Sequence, residues 1–328
     1  MNTAVARPAL VTLLMWLIGL LRDLTIGTLL CASPLTALIA LGWQVRRMGA
    51  TVRRRWSEPT ENPGWLMGRR DRGWTVWALG GLAANILSGI TALVGLAALS
   101  LPFTVLWLGA WWVGWENSFN KGYEQAAVGP SVWFLASLVA LPILTHLPFG
   151  LAHAAFEGKL SAFFEWRRIR SVVSSAGWRV AWLALMSGAL CVPFFGMRAI
   201  PVFIEGVVPG FENMTHENQA QIAQWFDLFG AALAFVLVLF LRQRAACIYA
   251  IAVPRAAAGR FAHLWVGHTA QRVVPVGRTP TRVVSTFWLL IACVVWFGLP
   301  ALIVMGQFMN YDSLLWLTHP MFLLPWAG

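Results

Sequence analysis

The chain has 328 residues, of which 59% are hydrophobic and 11% are charged, and its formal net charge is +11. A soluble core of this size cannot bury that much apolar surface, so the composition excludes an ordinary soluble protein and predicts a multi-pass membrane protein. The basic residues flank apolar runs, and the positive-inside bias explains that placement better than nucleic-acid binding does. We therefore expect one integral membrane domain over residues 1–328 and no nucleic-acid partner.

Two apolar runs lie on either side of the Arg22-Asp23 pair. The first, Ala9 to Leu21, is too short to cross about 30 Å of hydrocarbon, which predicts an interfacial segment. The second, Leu24 to Trp43, is long enough to cross but has Ser33-Pro34 near its centre. It predicts either a kinked span or a helix-turn-helix that dips into the bilayer and returns, and its length favours the span.

The next uncharged stretch runs from Thr75 to Trp115, which is too long for one ordinary crossing, and Ser100-Leu101-Pro102 predicts a break within it. A later span contains Pro142 and Pro148, which predict a kinked or broken helix that faces protein. The predicted spans after the first are Thr75 to Leu99, Ser131 to Phe156, Trp178 to Met197, Trp225 to Leu241 and Ser285 to Gly306. The predicted fold is all-α, a polytopic transmembrane helical bundle of about six spans with Pro-kinked or re-entrant segments and interfacial amphipathic helices.

Three basic segments, residues 44–74, 157–179 and 242–284, contain 20 of the 24 lysines and arginines. The loop at residues 198–227 contains four acids and one arginine. The positive-inside rule therefore predicts that the three basic segments are inner loops at a bacterial inner membrane and that residues 198–227 form an outer loop. Within residues 157–179, arginines alternate with apolar side chains, a pattern typical of a basic helix that lies on an anionic membrane surface.

The arginines of these segments are the predicted contact residues for the anionic headgroups of the lipid bilayer or for a membrane-protein partner, including a second copy of the chain. The predicted contact set is Arg46, Arg47, Arg53, Arg54, Arg55, Arg167, Arg168 and Arg170.

Residues Leu24 to Trp65 resemble a family of uncharacterised bacterial multi-pass membrane proteins that is defined only as a domain of unknown function. The resemblance rests on Asp23-Leu24 before a Pro-interrupted apolar run, on Leu41-Gly42-Trp43 leading into Arg46-Arg47, and on Asn62-Pro63-Gly64-Trp65. Phe163-Phe164 followed by Arg167 to Arg170 is similar to a later part of that family. Since no activity is associated with the family, the resemblance implies a membrane fold and no site.

One set of side chains suggests an intramembrane polar site. His153 and Glu157 are four residues apart and share a helical face, and His146 lies two turns earlier on nearly the same side. These groups could bind a metal ion or carry protons, but a polar pair that reaches the headgroups is the favoured interpretation. No other segment supplies a matching cluster of ligands, so we predict no metal and no cofactor. His263 and His268 are expected to meet lipid phosphate or solvent.

No nucleotide-binding loop, nucleophile elbow or zinc-protease motif occurs in the chain. A non-catalytic scaffold, assembly factor or accessory subunit with an Arg-rich inner face is therefore favoured over an enzyme. The alternative is a secondary transporter or channel that uses the Pro-broken segments Leu24 to Trp43 and Ser131 to Phe156.

Overall fold

A computed structural model describes residues 9–68, 74–112, 128–199, 204 and 208–310. All regular secondary structure in these ranges is helical, which confirms the predicted all-α class. The α-helices are α1 Ala9–Cys31, α2 Pro34–Arg55, α3 Trp74–Trp112, α4 Val128–Glu157, α5 Trp166–Ala176, α6 Trp178–Ala199, α7 His216–Ala258 and α8 Arg282–Asn310. Short 3-10 helices cover Leu160–Phe164, Phe211–Asn213, Ala262–Trp265 and Thr269–Arg272.

Four helices in the described ranges are long and apolar enough to cross a membrane. The candidate spans are Leu13–Cys31, Ala78–Pro102, Phe134–Glu157 and His216–Ala258. A shorter apolar stretch, Arg282–Gly298, lies in α8. These helices support the prediction of a membrane protein. Two further predicted spans fall in α6 and α8, and the side chains at the C-terminal ends of these two helices lie outside the described part of the chain.

The N-terminal region differs from the prediction. Helix α1 continues through Arg22 and Asp23, so the predicted interfacial segment and the start of the predicted span belong to one helix. The break comes instead at Ala32 and Ser33, after which Pro34 opens α2 at a position where its missing N–H costs nothing. An ion pair between Asp23 and Arg47 joins the two helices, so they form a hairpin, and the helix-turn-helix alternative describes the backbone better than a single kinked helix does.

Three other predicted boundaries were wrong. Helix α3 runs through Pro102 without the predicted break. The inner segments at residues 44–74 and 242–284 also begin as helix, because α2 continues to Arg55 and α7 continues to Ala258. Both extensions are largely buried, so packing against neighbours stabilises helix where charge alone suggested a loop. The sequence also predicts an outer loop at residues 116–125 and an apolar, outer interfacial or docking tail at residues 313–328, and both lie outside the described residues.

Helices α2 and α3 approach each other closely through small residues. A Cβ atom added to Gly42 would lie 1.7 Å from the carbonyl oxygen of Asn85, and one added to Gly89 would lie 2.2 Å from that of Leu38. Only glycine allows backbones to approach so closely. The contact fixes the position of Asn85, which organises the loop that follows α2.

That loop folds back onto the helices. The side-chain amide of Asn85 donates to the carbonyl oxygens of Gly64, at 3.2 Å, and Trp65, at 2.9 Å. The Trp65 ring stacks on Trp43, with ring centroids 4.2 Å apart, and its indole N–H donates to Asp23 at 3.0 Å. Gly64 and Trp65 therefore join this loop to α1, α2 and α3.

Helix α5 does not turn its apolar stripe towards a membrane surface as predicted. Ile169, Val172 and Val173 are buried in the main hydrophobic core. Ser171, on another side of the helix, is also buried and accepts a 3.0 Å hydrogen bond from the indole of Trp265. The helix is amphipathic, but its apolar face packs on the protein, and Arg167 and Arg170 face away from that core.

Candidate functional site

His153 and Glu157 of α4 belong to a partly buried network that we name the His153 network; its other members are Glu165, Arg168, Tyr249 and His268. Local sequence creates the turn that closes it. Gly158 ends α4 in a left-handed conformation, with φ of +69°, which glycine adopts without steric cost. The Leu160–Phe164 helix then turns the chain back, so that Glu165 reaches His153.

His153 is fully buried, and both of its ring nitrogens have partners. Nε2 lies 3.0 Å from Oε2 of Glu165, and Nδ1 lies 2.7 Å from the hydroxyl oxygen of Tyr249. Because an ionised carboxylate can only accept, Nε2–H donates to Glu165, and in the neutral ring Nδ1 then accepts from the Tyr249 hydroxyl. One side chain therefore connects α4, α7 and the residue that precedes α5.

Glu165 also has a cationic partner, Arg168. Nη1 of Arg168 donates to the same Oε2 atom at 2.8 Å, and Nε of Arg168 donates to the carbonyl oxygen of Leu264 at 2.9 Å. Partial burial acts to raise the pKa of Glu165, but the hydrogen bond and charge of His153, together with Arg168, outweigh it and hold the pKa below its ordinary value. Glu165 is therefore a carboxylate at neutral pH.

A second histidine–glutamate pair lies beside the first. Nε2 of His268 donates to Oε1 of Glu157 at 3.0 Å, while Nδ1 accepts from the backbone N–H of Ala270 at 3.0 Å. Trp265 meets the ring edge to face, with ring centroids 4.8 Å apart, and Trp56 does so at 5.9 Å. His268 was expected to meet solvent or phosphate. That expectation was wrong, because its side chain is 7% exposed and fully hydrogen-bonded inside the protein.

The structure separates the predicted polar trio. His153 and Glu157 both lie in the His153 network, through different histidine–glutamate pairs. His146 is buried and has other partners. Its Nε2 atom lies 2.8 Å from the carbonyl oxygen of Phe163, and its ring centroid lies 3.8 Å from that of Trp166. Sequence reasoning missed the roles of Glu165, Arg168, Tyr249 and His268. Tyr249, a polar side chain in an otherwise apolar turn of α7, was the sequence signal for a buried polar network.

Each acid of the His153 network is paired with a base, and each histidine uses both ring nitrogens. Among the residues that the structure describes, no three His, Cys, Asp or Glu side chains are arranged to hold a metal ion. The network is therefore suited to joining helices, because its groups satisfy one another.

The three arginine-rich segments come together in the fold. Nη2 of Arg53 donates to the carbonyl oxygen of Phe156 at 2.6 Å, which brings the first segment to the residue directly before the second. The indole N–H of Trp56 donates to the carbonyl oxygen of Ala250 at 2.9 Å, which joins the first to the third. The second and third meet where Arg168 bonds to Leu264. Basic segments that are distant in sequence are therefore neighbours in the fold.

The predicted contact arginines divide into two groups. Four make internal bonds. Arg46 bonds to Asn85 at 2.6 Å, Arg47 pairs with Asp23 at 3.2 Å, and Arg53 and Arg168 bond as described above. Burial lowers the pKa of Arg46 from its ordinary value. The other four, Arg54, Arg55, Arg167 and Arg170, are exposed, as are Arg244, Arg260, Arg272, Arg278 and Arg282. We name these nine exposed arginines the basic surface.

The chain matches no family model, no curated protein and no solved structure. The resemblance to an uncharacterised bacterial membrane family therefore stays a prediction, and what the protein does is inferred from its own residues.

Proposed function

We propose that the protein is a non-catalytic integral membrane scaffold, assembly factor or accessory subunit of the bacterial inner membrane. Its basic surface contacts anionic lipid headgroups or an acidic partner. The single observation that carries the proposal is that nine arginines are exposed on three segments that contact one another in the fold.

Acids do not neutralise the exposed arginines of the second and third basic segments, whereas the first segment also contains Glu58 and the exposed Glu61. Glu157 and Glu165 are the acids of the second basic segment, and both bond inward to His268, His153 and Arg168. The third basic segment contains no acid at all. Guanidinium groups bond strongly to phosphate and carboxylate oxygens, and each basic residue close to an anionic membrane surface contributes about 1 kcal/mol.

The test compares anionic with neutral lipid and changes charge at two places. Purified protein in nonionic detergent is titrated with short-chain phosphatidylglycerol, phosphatidylcholine or a polyglutamate peptide, and binding is followed by the rise in melting temperature. We expect an anionic ligand to bind more tightly than phosphatidylcholine. The difference is expected to shrink between about 0.05 M and about 0.5 M salt, because screening weakens contacts of exposed charges.

Paired variants test where binding occurs. R167Q combined with R170Q removes two charges from the basic surface, so the affinity for the anionic ligand should fall about tenfold or more. The control combines Q221E with Q224E, two exposed positions in the first turns of α7, and changes the net charge by the same amount. If both double variants bind equally, or if lipid charge and salt make no difference, the proposal is wrong.

The alternative proposal is a secondary transporter or channel. Its support is the interruption between α1 and α2 at Ala32 and Ser33, since interrupted helices in transporters line substrate sites. It predicts a water-filled path from the outer side to His146. His146→Cys should then react with a membrane-impermeant thiol reagent, with Gln221→Cys as the accessible reference. No labelling at position 146 under any condition would contradict transport by this route.

A further inference from the structure

The segment between Arg272 and helix α8 exposes apolar side chains in an unusual setting. Residues 273–281 form no helix or strand, yet Val274 is 82% exposed and Val276 is 70% exposed. Val283, in the first turn of α8, is 80% exposed. Single exposed apolar residues are ordinary on protein surfaces. These three valines differ from such single residues because their backbone is anchored to the protein and arginines lie among them.

The backbone of this segment is anchored to the protein. Nε of Arg255 donates to the carbonyl oxygen of Val276 at 2.7 Å, and Nη2 of the same side chain bonds to that oxygen as well. Gly277 has a φ of +79°, which lets the chain turn beside the arginine. Val273 packs against the main core, while Val274 and Val276 point outward. The valines are therefore presented by a fixed backbone.

Cationic side chains lie among these valines. Arg272, Arg278 and Arg282 are exposed, and residues 242–284 contain no acid. Alternating guanidinium and isopropyl groups complement the surface of an anionic bilayer, where phosphates bind the cations and the acyl boundary accepts the apolar groups. An acidic soluble partner would match the charges, but its carboxylates would leave the isopropyl groups without apolar contact.

The segment also lies where two apolar helices begin. Pro280 is next to Gly177, where an added Cβ atom would be 3.3 Å from the proline ring, and the Ser285 hydroxyl donates to the carbonyl oxygen of Ser174 at 2.7 Å. Helix α6 starts directly after Gly177 and exposes Trp178 and Trp182. Exposed tryptophans at the start of an apolar helix are typical of the membrane–water interface.

We propose that Val274 and Val276 insert into the interfacial layer of an anionic bilayer while Arg272, Arg278 and Arg282 bind its phosphates. This inference rests on the proposed function, and it selects lipid over an acidic protein as the ligand of this part of the basic surface.

The test uses an environment-sensitive fluorophore. In full-length protein with Cys31, Cys191, Cys247 and Cys293 replaced by alanine, Val274→Cys is labelled with nitrobenzoxadiazole and reconstituted into vesicles of phosphatidylcholine with or without phosphatidylglycerol. Gln271→Cys, an exposed polar position three residues earlier, is the matched control. With phosphatidylglycerol, we expect a blue-shifted emission at position 274 and about threefold less quenching by acrylamide than at position 271, because the inserted probe is shielded from water.

Equal quenching at the two positions in phosphatidylglycerol vesicles would overturn the inference. Protection that appears only when polyglutamate is added would overturn the choice of lipid. R272Q combined with R278Q should abolish the protection, and circular dichroism checks that this variant is folded. If the Arg167 and Arg170 pair still binds phosphatidylglycerol while position 274 stays accessible, only this inference fails. If neither binds, the proposed function fails too.

Discussion

The Tyr249 hydroxyl lies 2.7 Å from Nδ1 of His153, so one hydrogen bond joins α7 to the last turns of α4. Both side chains are fully buried. The opposite nitrogen of His153 binds Glu165, so the bond is the first link of a chain that ends at Arg168 and Leu264. This chain of bonds joins the second basic segment to the third, and the bonds of Arg53 and Trp56 add the first.

Removing the Tyr249 hydroxyl should destabilise the protein. Tyr249→Phe keeps the ring and leaves Nδ1 of His153 buried without its partner, which costs about 1–3 kcal/mol. We expect a lower melting temperature in detergent. Intrinsic tryptophan fluorescence measures this melting temperature.

Thr91→Val is the control for that variant, because it also deletes one hydroxyl. The Thr91 hydroxyl donates to a helix carbonyl oxygen, that of Leu87, at a more exposed site. Its loss should change stability by less than about 0.5 kcal/mol. Equal melting temperatures for the two variants would show that the Tyr249–His153 bond does not stabilise the bundle.

Stability should fall in acid because of Glu165. Burial opposes ionisation of this carboxyl group, but His153 and Arg168 hold its pKa below the ordinary value of 4.5. A carboxylate whose pKa is lower in the folded state stabilises the fold above its unfolded pKa, and this contribution is lost as the pH falls through the folded pKa. The melting temperature should therefore drop as the pH is lowered below about 4.5.

Glu165→Gln separates this effect from the titration of other groups. The variant should be less stable than the parent protein at neutral pH, and its melting temperature should depend less on pH in the acid range. Glu212→Gln, which removes an exposed carboxylate from the short helix before α7, is the matched control. A parallel acid decrease in the parent and in Glu165→Gln would contradict the role assigned to Glu165.

The contact between α2 and α3 should not tolerate a methyl group. In Gly42→Ala the new Cβ atom would lie 1.7 Å from the Asn85 carbonyl oxygen, so the backbones must separate. We expect a loss of at least about 1–3 kcal/mol, or failure to obtain folded protein, measured as the monodisperse yield from size-exclusion chromatography.

Gly19→Ala tests whether any glycine replacement would have that effect. No atom lies within 4 Å of a Cβ added at Gly19, which is also in a helix. Its yield should match that of the parent protein. A normal yield for Gly42→Ala would contradict the close approach of α2 and α3.

Asn85 should control the loop at residues 57–68. Asn85→Ala removes the bonds to the carbonyl oxygens of Gly64 and Trp65 and deprives Arg46 of its 2.6 Å partner. We expect faster backbone hydrogen exchange in this loop and unchanged exchange in residues 262–272, measured by mass spectrometry. Thr91→Val, on the same helix, should change neither region. Equal exchange in the parent protein and in Asn85→Ala would show that the loop is held by other contacts.

Composition and charge predicted the helical membrane class, because apolar content and helix length respond to the solvent rather than to partner residues. For the segment around Ser33-Pro34, the sequence left two alternatives open, a kinked span and a helix-turn-helix. Its outcome depends on a tertiary contact, the Asp23–Arg47 pair, that no local pattern encodes. In the same way, the buried ends of α2 and α7 were read as loops because their arginines looked solvated.

The candidate site was only partly predictable. The spacing of His153 and Glu157 revealed a shared face of α4, but their true partners, Glu165 and His268, lie 12 and 111 residues further along the chain. Pairing at such distances depends on the left-handed turn at Gly158 and on the return of the chain after α7. The sequence predicted exposed contact arginines, and four of the eight are exposed. It did not predict that Arg46, Arg47, Arg53 and Arg168 bond inside the protein.

The central claim is that the three arginine-rich segments lie on one side of the membrane. The most direct test replaces Arg54, Arg170, Arg272 and Gln221 singly by cysteine in the cysteine-free protein and labels sealed vesicles of known orientation with a membrane-impermeant thiol reagent. The account predicts that positions 54, 170 and 272 react from the same side and that position 221 reacts from the opposite side. Labelling of position 54 and position 272 from opposite sides would contradict it.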